Sequence, residues 1–113
     1  MEAGIGVWYR VRDLQRGRAF YTRTLGFTET YADPDGIWFR LQRGDTKIEL
    51  AEGDPGEGGV AIVAVDDAKG EADRLRAAGV EVGTVLELHG QVRLVDVFDP
   101  EGNRIQLAED LQA

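Results

Sequence analysis

A duplication constrains this chain more than any other feature. KIELAE, Lys47 to Glu52, nearly repeats as RIQLAE, Arg104 to Glu109. Five of the six positions are identical or keep their charge, and the exception is Glu49 against Gln106. The likeness extends well upstream. GIGVWYRVRD is followed by LQRGRAFYTRTLGF, and GGVAIVAVDD by AKGEADRLRAAGV. Each pair reads as a strand, an aspartate able to cap a helix, and a helix that stops at glycine. The caps Asp13 and Asp66 lie 53 positions apart, and so do Gly26 and Gly79. A repeat of this length signals a repeated structural unit.

Three further strands are predicted after each helix. They are FTETYAD, IWFRLQRG and DTKIELAE in the first half, and VEVGTVLELH, QVRLVDVFD and NRIQLAED in the second. Asp-Pro, Asn and Gly turns separate them. Each half therefore reads strand, helix, strand, strand, strand, a βαβββ module of the α+β class. Module one is expected over 1–52, a linker over 53–59 and module two over 60–113. Neither half can bury a core alone, so one domain over 1–113 is expected.

Composition excludes several functions. There is no Ser, no Cys and a single histidine, His89. That rules out Ser and Cys nucleophile triads and any zinc site built from several Cys and His ligands. The net charge of -8 argues against nucleic acid or an anionic membrane as partner. No apolar run is long enough to span a bilayer, no secretory signal is visible, and no disulfide can form, so a cytoplasmic setting is expected. DPDG at 33–36 and DPEG at 99–102 read as hairpin turns rather than cation loops. His89, beside Gly90, is expected in a solvent-exposed turn.

Side chains alternate across a strand, so the sequence assigns faces. Val7, Tyr9 and Val11 suit packing on the helix; Trp8 and Arg10 then face the other way. In IWFRL the helix side is Ile37, Phe39 and Leu41, leaving Trp38 and Arg40. In TKIELA it is Ile48 and Leu50, leaving Lys47, Glu49 and Ala51. The corresponding outward residues of module two are Val60, Ile62, Ala64, Leu94, Asp96, Phe98, Arg104 and Gln106.

Val11-Arg12-Asp13-Leu14, Phe20-Tyr21, Leu25-Gly26-Phe27 and Asp99-Pro100-Glu101-Gly102-Asn103-Arg104-Ile105-Gln106-Leu107 resemble the glyoxalase/bleomycin-resistance/dioxygenase family, also called the vicinal oxygen chelate superfamily. The resemblance covers nearly the whole chain. It implies two βαβββ modules whose curved mixed sheets surround a cleft, commonly in a homodimer. Its members include metal-dependent enzymes and metal-free proteins that sequester antibiotics. The four metal-ligand positions of the former, typically His, Glu, His and Glu, fall here on Gly6, Glu49, Val60 and Gln106. Three of the four depart, so no metal and no cofactor are expected.

What remains outward is Trp8, Arg10, Trp38, Arg40, Lys47, Glu49, Arg104 and Gln106. Indoles offer stacking faces and guanidiniums bind carboxylate or phosphate by paired bonds. The set reads as a ligand site for a small aromatic or anionic molecule such as an antibiotic. Trp8 and Trp38 also suit core or dimer-interface positions, Arg40 and Lys47 a solvated sheet edge, and Arg10 with Glu49 a structural ion pair. The alternative function is a metal-free lyase or isomerase with Glu49 as general base.

Overall fold

The computed structural model describes residues 7–56 and 59–112. Strand β1 (Val7–Val11) buries Tyr9 and Val11 and turns Trp8 and Arg10 outward. Two residues past its end, the Asp13 carboxylate accepts from Arg16 N at 3.1 Å and caps helix α1 (Leu14–Ala19). The helix continues as a wider turn over Phe20–Thr24, where Leu25 N donates to Phe20 O across a five-residue step. Gly17 looks out of place in a helix. A Cβ there would lie 3.0 Å from Val11 Cγ2 and 3.3 Å from Leu50 Cδ2, so glycine is what lets the helix sit this close to the sheet.

Strands β2 (Thr28–Ala32), β3 (Trp38–Arg43) and β4 (Thr46–Glu52) complete the first module. Its sheet runs β1-β4-β3-β2, with β1 parallel to β4 and the other pairs antiparallel. The second module repeats the plan with β5 (Ala61–Ala64), α2 (Ala68–Ala77), β6 (Glu81–Val82), β7 (Leu86–Leu88), β8 (Val92–Phe98) and β9 (Arg104–Asp110). Its sheet runs β5-β9-β8-β6, with β7 also on β8. The molecule is thus α+β, two mixed sheets with few helices, as the duplication predicts.

Three local expectations are corrected. The cap of α2 is Asp67, not Asp66; its carboxylate accepts from Gly70 N at 3.0 Å, so the helix starts one residue later. VEVGTVLELH is not one strand. It breaks after Val82, where Gly83 N donates to Asp96 O at 2.8 Å, and resumes at Leu86. Ile37 does not reach the helix side, because it precedes β3 in the Asp33–Gly36 turn region and is exposed. Both Asp-Pro stretches do form turns, closed by Gly36 N to Asp33 O at 2.8 Å and Gly102 N to Asp99 O at 3.0 Å.

The helix-facing sides of both sheets share one apolar cluster that includes Tyr9, Tyr21, Phe27, Leu50, Leu75 and Leu107. Polar bonds tie the modules together inside and around it. Tyr9 OH donates to Arg104 O at 2.6 Å and accepts from Ala61 N at 2.9 Å. Tyr21 OH donates to Asp99 Oδ2 at 2.8 Å. The Glu101 carboxylate accepts from Arg12 N and Asp13 N at 2.7 and 2.9 Å, at the entrance to α1. Arg43 donates twice to Glu71 on α2, at 2.7 and 2.9 Å, and that pairing raises its pKa. Burial raises the pKa of both tyrosines, so each stays a neutral donor.

Candidate ligand-binding site

The outward side of the first sheet gathers six of the eight expected residues. Register sets their neighbours. Across β1, β4 and β3 one row holds Trp8, Glu49 and Arg40, and the next holds Arg10, Ala51 and Trp38. Lys47 lies one row the other way, opposite Gln42. Glu49 is only 1% exposed although its strand faces outward. A carboxylate removed from water needs a compensating partner. Arg40 supplies one, Nε to Oε2 at 2.8 Å. The expected pairing of Arg10 with Glu49 is therefore corrected: Arg40 is directly opposite Glu49, while Arg10 is one row on, opposite Ala51.

Above this ion pair lies an aromatic surface. The rings of Trp8 and Trp38 are 5.6 Å apart at 43°, and those of Tyr31 and Trp38 are 4.9 Å apart at 37°. The Arg40 guanidinium carbon is 5.5 Å from the Trp38 ring centre, within cation–π range. Trp8 and Tyr31 are 41% and 42% exposed, so neither is a core residue.

Tyr31 is absent from the set read off the sequence, and the reason is a bulge. Glu29 opposes Leu41 on the helix side, where Arg18 Nε donates to its carboxylate at 3.0 Å. Two residues on, Tyr31 would share that side in an unbroken strand. Instead the register shifts between Glu29 and Tyr31, so that Tyr31 opposes Arg40 and faces outward. No motif in FTETYAD announces the extra residue.

Arg104 and Gln106 lie on the second sheet, in a separate polar knot. Asp96 accepts from Arg104 Nη1 at 3.2 Å and from Gln106 Nε2 at 3.3 Å. Asp96 opposes Gln106 as Arg40 opposes Glu49. The duplication has reversed polarity at this pair: a cation faces the carboxylate in one copy, and a carboxylate faces the amide in the other. That accounts for the single change between KIELAE and RIQLAE. A glutamate at 106 would meet Asp96 head-on. Gln106→Glu is expected to cost about 1 kcal/mol at neutral pH, as like charges directly opposed in a sheet do. The penalty should shrink in high salt, which screens the repulsion. Urea melts at low and high ionic strength check this. Beside the knot lies a small cavity of 70 Å³ lined by Gly83, Thr84, Leu86, Leu94, Asp96 and Gln106, among others. Ile62, directly opposite Gln106 on the same side, is exposed.

The residues at the four metal-ligand positions do not fit a divalent ion. Glu49 is paired with Arg40 and Gln106 with Asp96, Val60 has no donor side chain, and Gly6 lies outside the described residues. Among the described residues no group of three or more His, Cys, Asp or Glu is placed to hold a metal. His89 sits in the exposed turn between β7 and β8 at φ 54°, away from both knots. Among the described residues no helix is long and apolar enough to cross a membrane.

Two βαβββ modules, each with helices on one side of a mixed sheet and a polar knot on the other, define a paired-module class. The chain belongs to the Glyoxalase/Bleomycin resistance protein/Dioxygenase superfamily, whose profile matches residues 5–107. A search of curated proteins finds no significant match. Among solved structures, a member of the superfamily from Sphaerobacter thermophilus is similar with a TM-score of 0.81 at 21% identity, covering 97% of this chain and 98% of that one. An antibiotic-binding protein from a Streptomyces species gives a TM-score of 0.72 at 24% identity, covering 97% and 98%. A lactoylglutathione lyase from Agrobacterium tumefaciens gives 0.72 at 20% identity, covering 99% and 96%. At these identities the likeness extends to the fold alone.

Proposed function

We propose that this protein binds a small aromatic molecule, such as an antibiotic or metabolite, without a metal, and sequesters it by binding alone. The observation that carries this reading is the ring surface of Trp8, Trp38 and Tyr31, open to solvent above a secluded Glu49 carboxylate that Arg40 already holds. Flat rings stack on such a surface, and the Glu49 carboxylate beneath it is already held by Arg40. The antibiotic-binding neighbour makes the same use of this fold credible. The working unit in this reading is a cytoplasmic homodimer. The first sheet of one copy would oppose the second sheet of the other, with its Asp96 knot, across the ligand. Neither nucleic acid nor membrane takes part.

The chain has two tryptophans and both are on this surface, so indole fluorescence reports its occupancy directly. Titration with a bicyclic aromatic such as 2-naphthoate should quench it saturably. Trp38→Ala should weaken binding by about 2–3 kcal/mol, as loss of an aromatic anchor does. An unaltered Kd in that variant removes the site. The enzymatic alternative, with Glu49 as general base, is disfavoured by the arginine that holds its carboxylate and by its seclusion from solvent.

A further inference from the structure

The aromatic surface lies among cations, and among the described residues Arg10 is the one without a partner. In a chain of net charge -8, the outward positions of β1, β3 and β4 carry Arg10, Arg40 and Lys47 against the single carboxylate of Glu49. A locally positive patch on an acidic protein draws anions to one place on its surface. Arg40 is spent on Glu49, and Lys47 is also engaged. The Arg10 guanidinium is exposed and has no hydrogen-bond or ion-pair partner among the described residues.

The stem of Arg10 is nevertheless seated. It lies along the backbone at Gly53, where a Cβ would come 3.1 Å from Arg10 Cδ and 3.7 Å from Cγ. Glycine at 53 therefore leaves the bed in which the stem rests, and the head group keeps its five donors for something outside the chain. Its row-mates are Ala51 and Trp38. Alanine is the smallest side chain of the outward rows, so the floor between Arg10 and the Trp38 ring is low. Two strand spacings separate Arg10 from Trp38, roughly 10 Å between backbones. A flat ring stacked on Trp38 and extending over Ala51 runs toward the strand that carries Arg10.

We infer that the ligand is an aromatic anion, specifically an aryl carboxylate, whose ring lies on Trp38 and whose carboxylate is taken by Arg10 in a paired hydrogen bond. This rests on the binding reading above and adds charge to it. A paired guanidinium–carboxylate contact supplies orientation as well as affinity, which stacking alone lacks.

Two probes of one shape test it: 2-naphthoate and its neutral counterpart 2-naphthamide, titrated against tryptophan fluorescence in low salt. The wild-type protein should prefer naphthoate by tenfold or more. In Arg10→Met, which keeps the stem and loses the head, that preference should vanish, and Arg10→Lys should restore part of it. Raising the salt should shrink the wild-type preference. Equal affinity of the wild type for both probes overturns the inference and leaves the aromatic site standing. A preference that survives in Arg10→Met also overturns it, because the anion is then held elsewhere. Quenching by neither probe overturns this inference and the binding reading together.

Discussion

Replacing Asp99 by alanine is expected to destabilise the protein by about 3–5 kcal/mol, the cost of breaking a buried charged network. Asp99 is buried, and its carboxylate accepts four bonds. Oδ2 takes Tyr21 OH and Asn103 Nδ2, both at 2.8 Å, and Oδ1 takes Glu101 N and Asn103 N, both at 2.9 Å. Two of these donors shape the turn that brings Arg104 into β9. A third, Asn103, also reaches across to Arg10 O at 2.9 Å and ties that turn to β1. The fourth belongs to a tyrosine with no solvent exposure, which would be left holding an unpaired hydroxyl in the core. Tyr21→Phe removes one donor and one bond together, so it should cost only about 1 kcal/mol. Chemical denaturation of the three proteins decides the matter. A loss below about 1 kcal/mol for Asp99→Ala would show that the network is dispensable.

The second large effect is expected at Arg40. Arg40→Met keeps much of the stem and its packing but removes the guanidinium from a carboxylate that is 1% exposed. Stripping a buried charge of a partner costs about 3–5 kcal/mol. Arg40 is itself about one third exposed, so water can partly replace it and about 2–3 kcal/mol is the better expectation. Adding Glu49→Leu should recover most of that loss, since the carboxylate left without its arginine is then gone. A double variant no more stable than Arg40→Met would mean that Glu49 is not the reason Arg40 matters. The pair bears on function as well. Trp8 and Arg40 flank Glu49 in register, and losing the cation should also loosen the Trp38 ring that it faces.

Much of the fold is legible in the sequence because its signals are local. Asp13 with Gly26 brackets the first helix, and Gly79 follows the second at φ 86°. Alternation in VWYRV and KIEL places Tyr9, Val11, Ile48 and Leu50 in the core with no knowledge of what they touch. The six residues expected on the outer side of the first sheet are there for the same reason. What alternation cannot provide is a partner. Arg10 and Arg40 are equally good cations on the same side of one sheet, and only the pairing of β4 with β1 and β3 assigns Glu49 to Arg40. Nor can it provide an irregularity: the bulge in β2 decides that Tyr31 joins the tryptophans, and Gly83 decides that one strand becomes two.

The division has one physical cause. A strand's alternation and a helix's cap follow from backbone geometry within a few residues, so the duplicated chain by itself determined two βαβββ modules and the two sides of each sheet. Register depends on hydrogen bonds between segments that meet only after folding, and a shift of one residue exchanges the sides. Only the tertiary structure could therefore bring Tyr31 to the two tryptophans, give Arg40 to Glu49 and Asp96 to Gln106, and leave Arg10 unengaged among the described residues at the edge of the site.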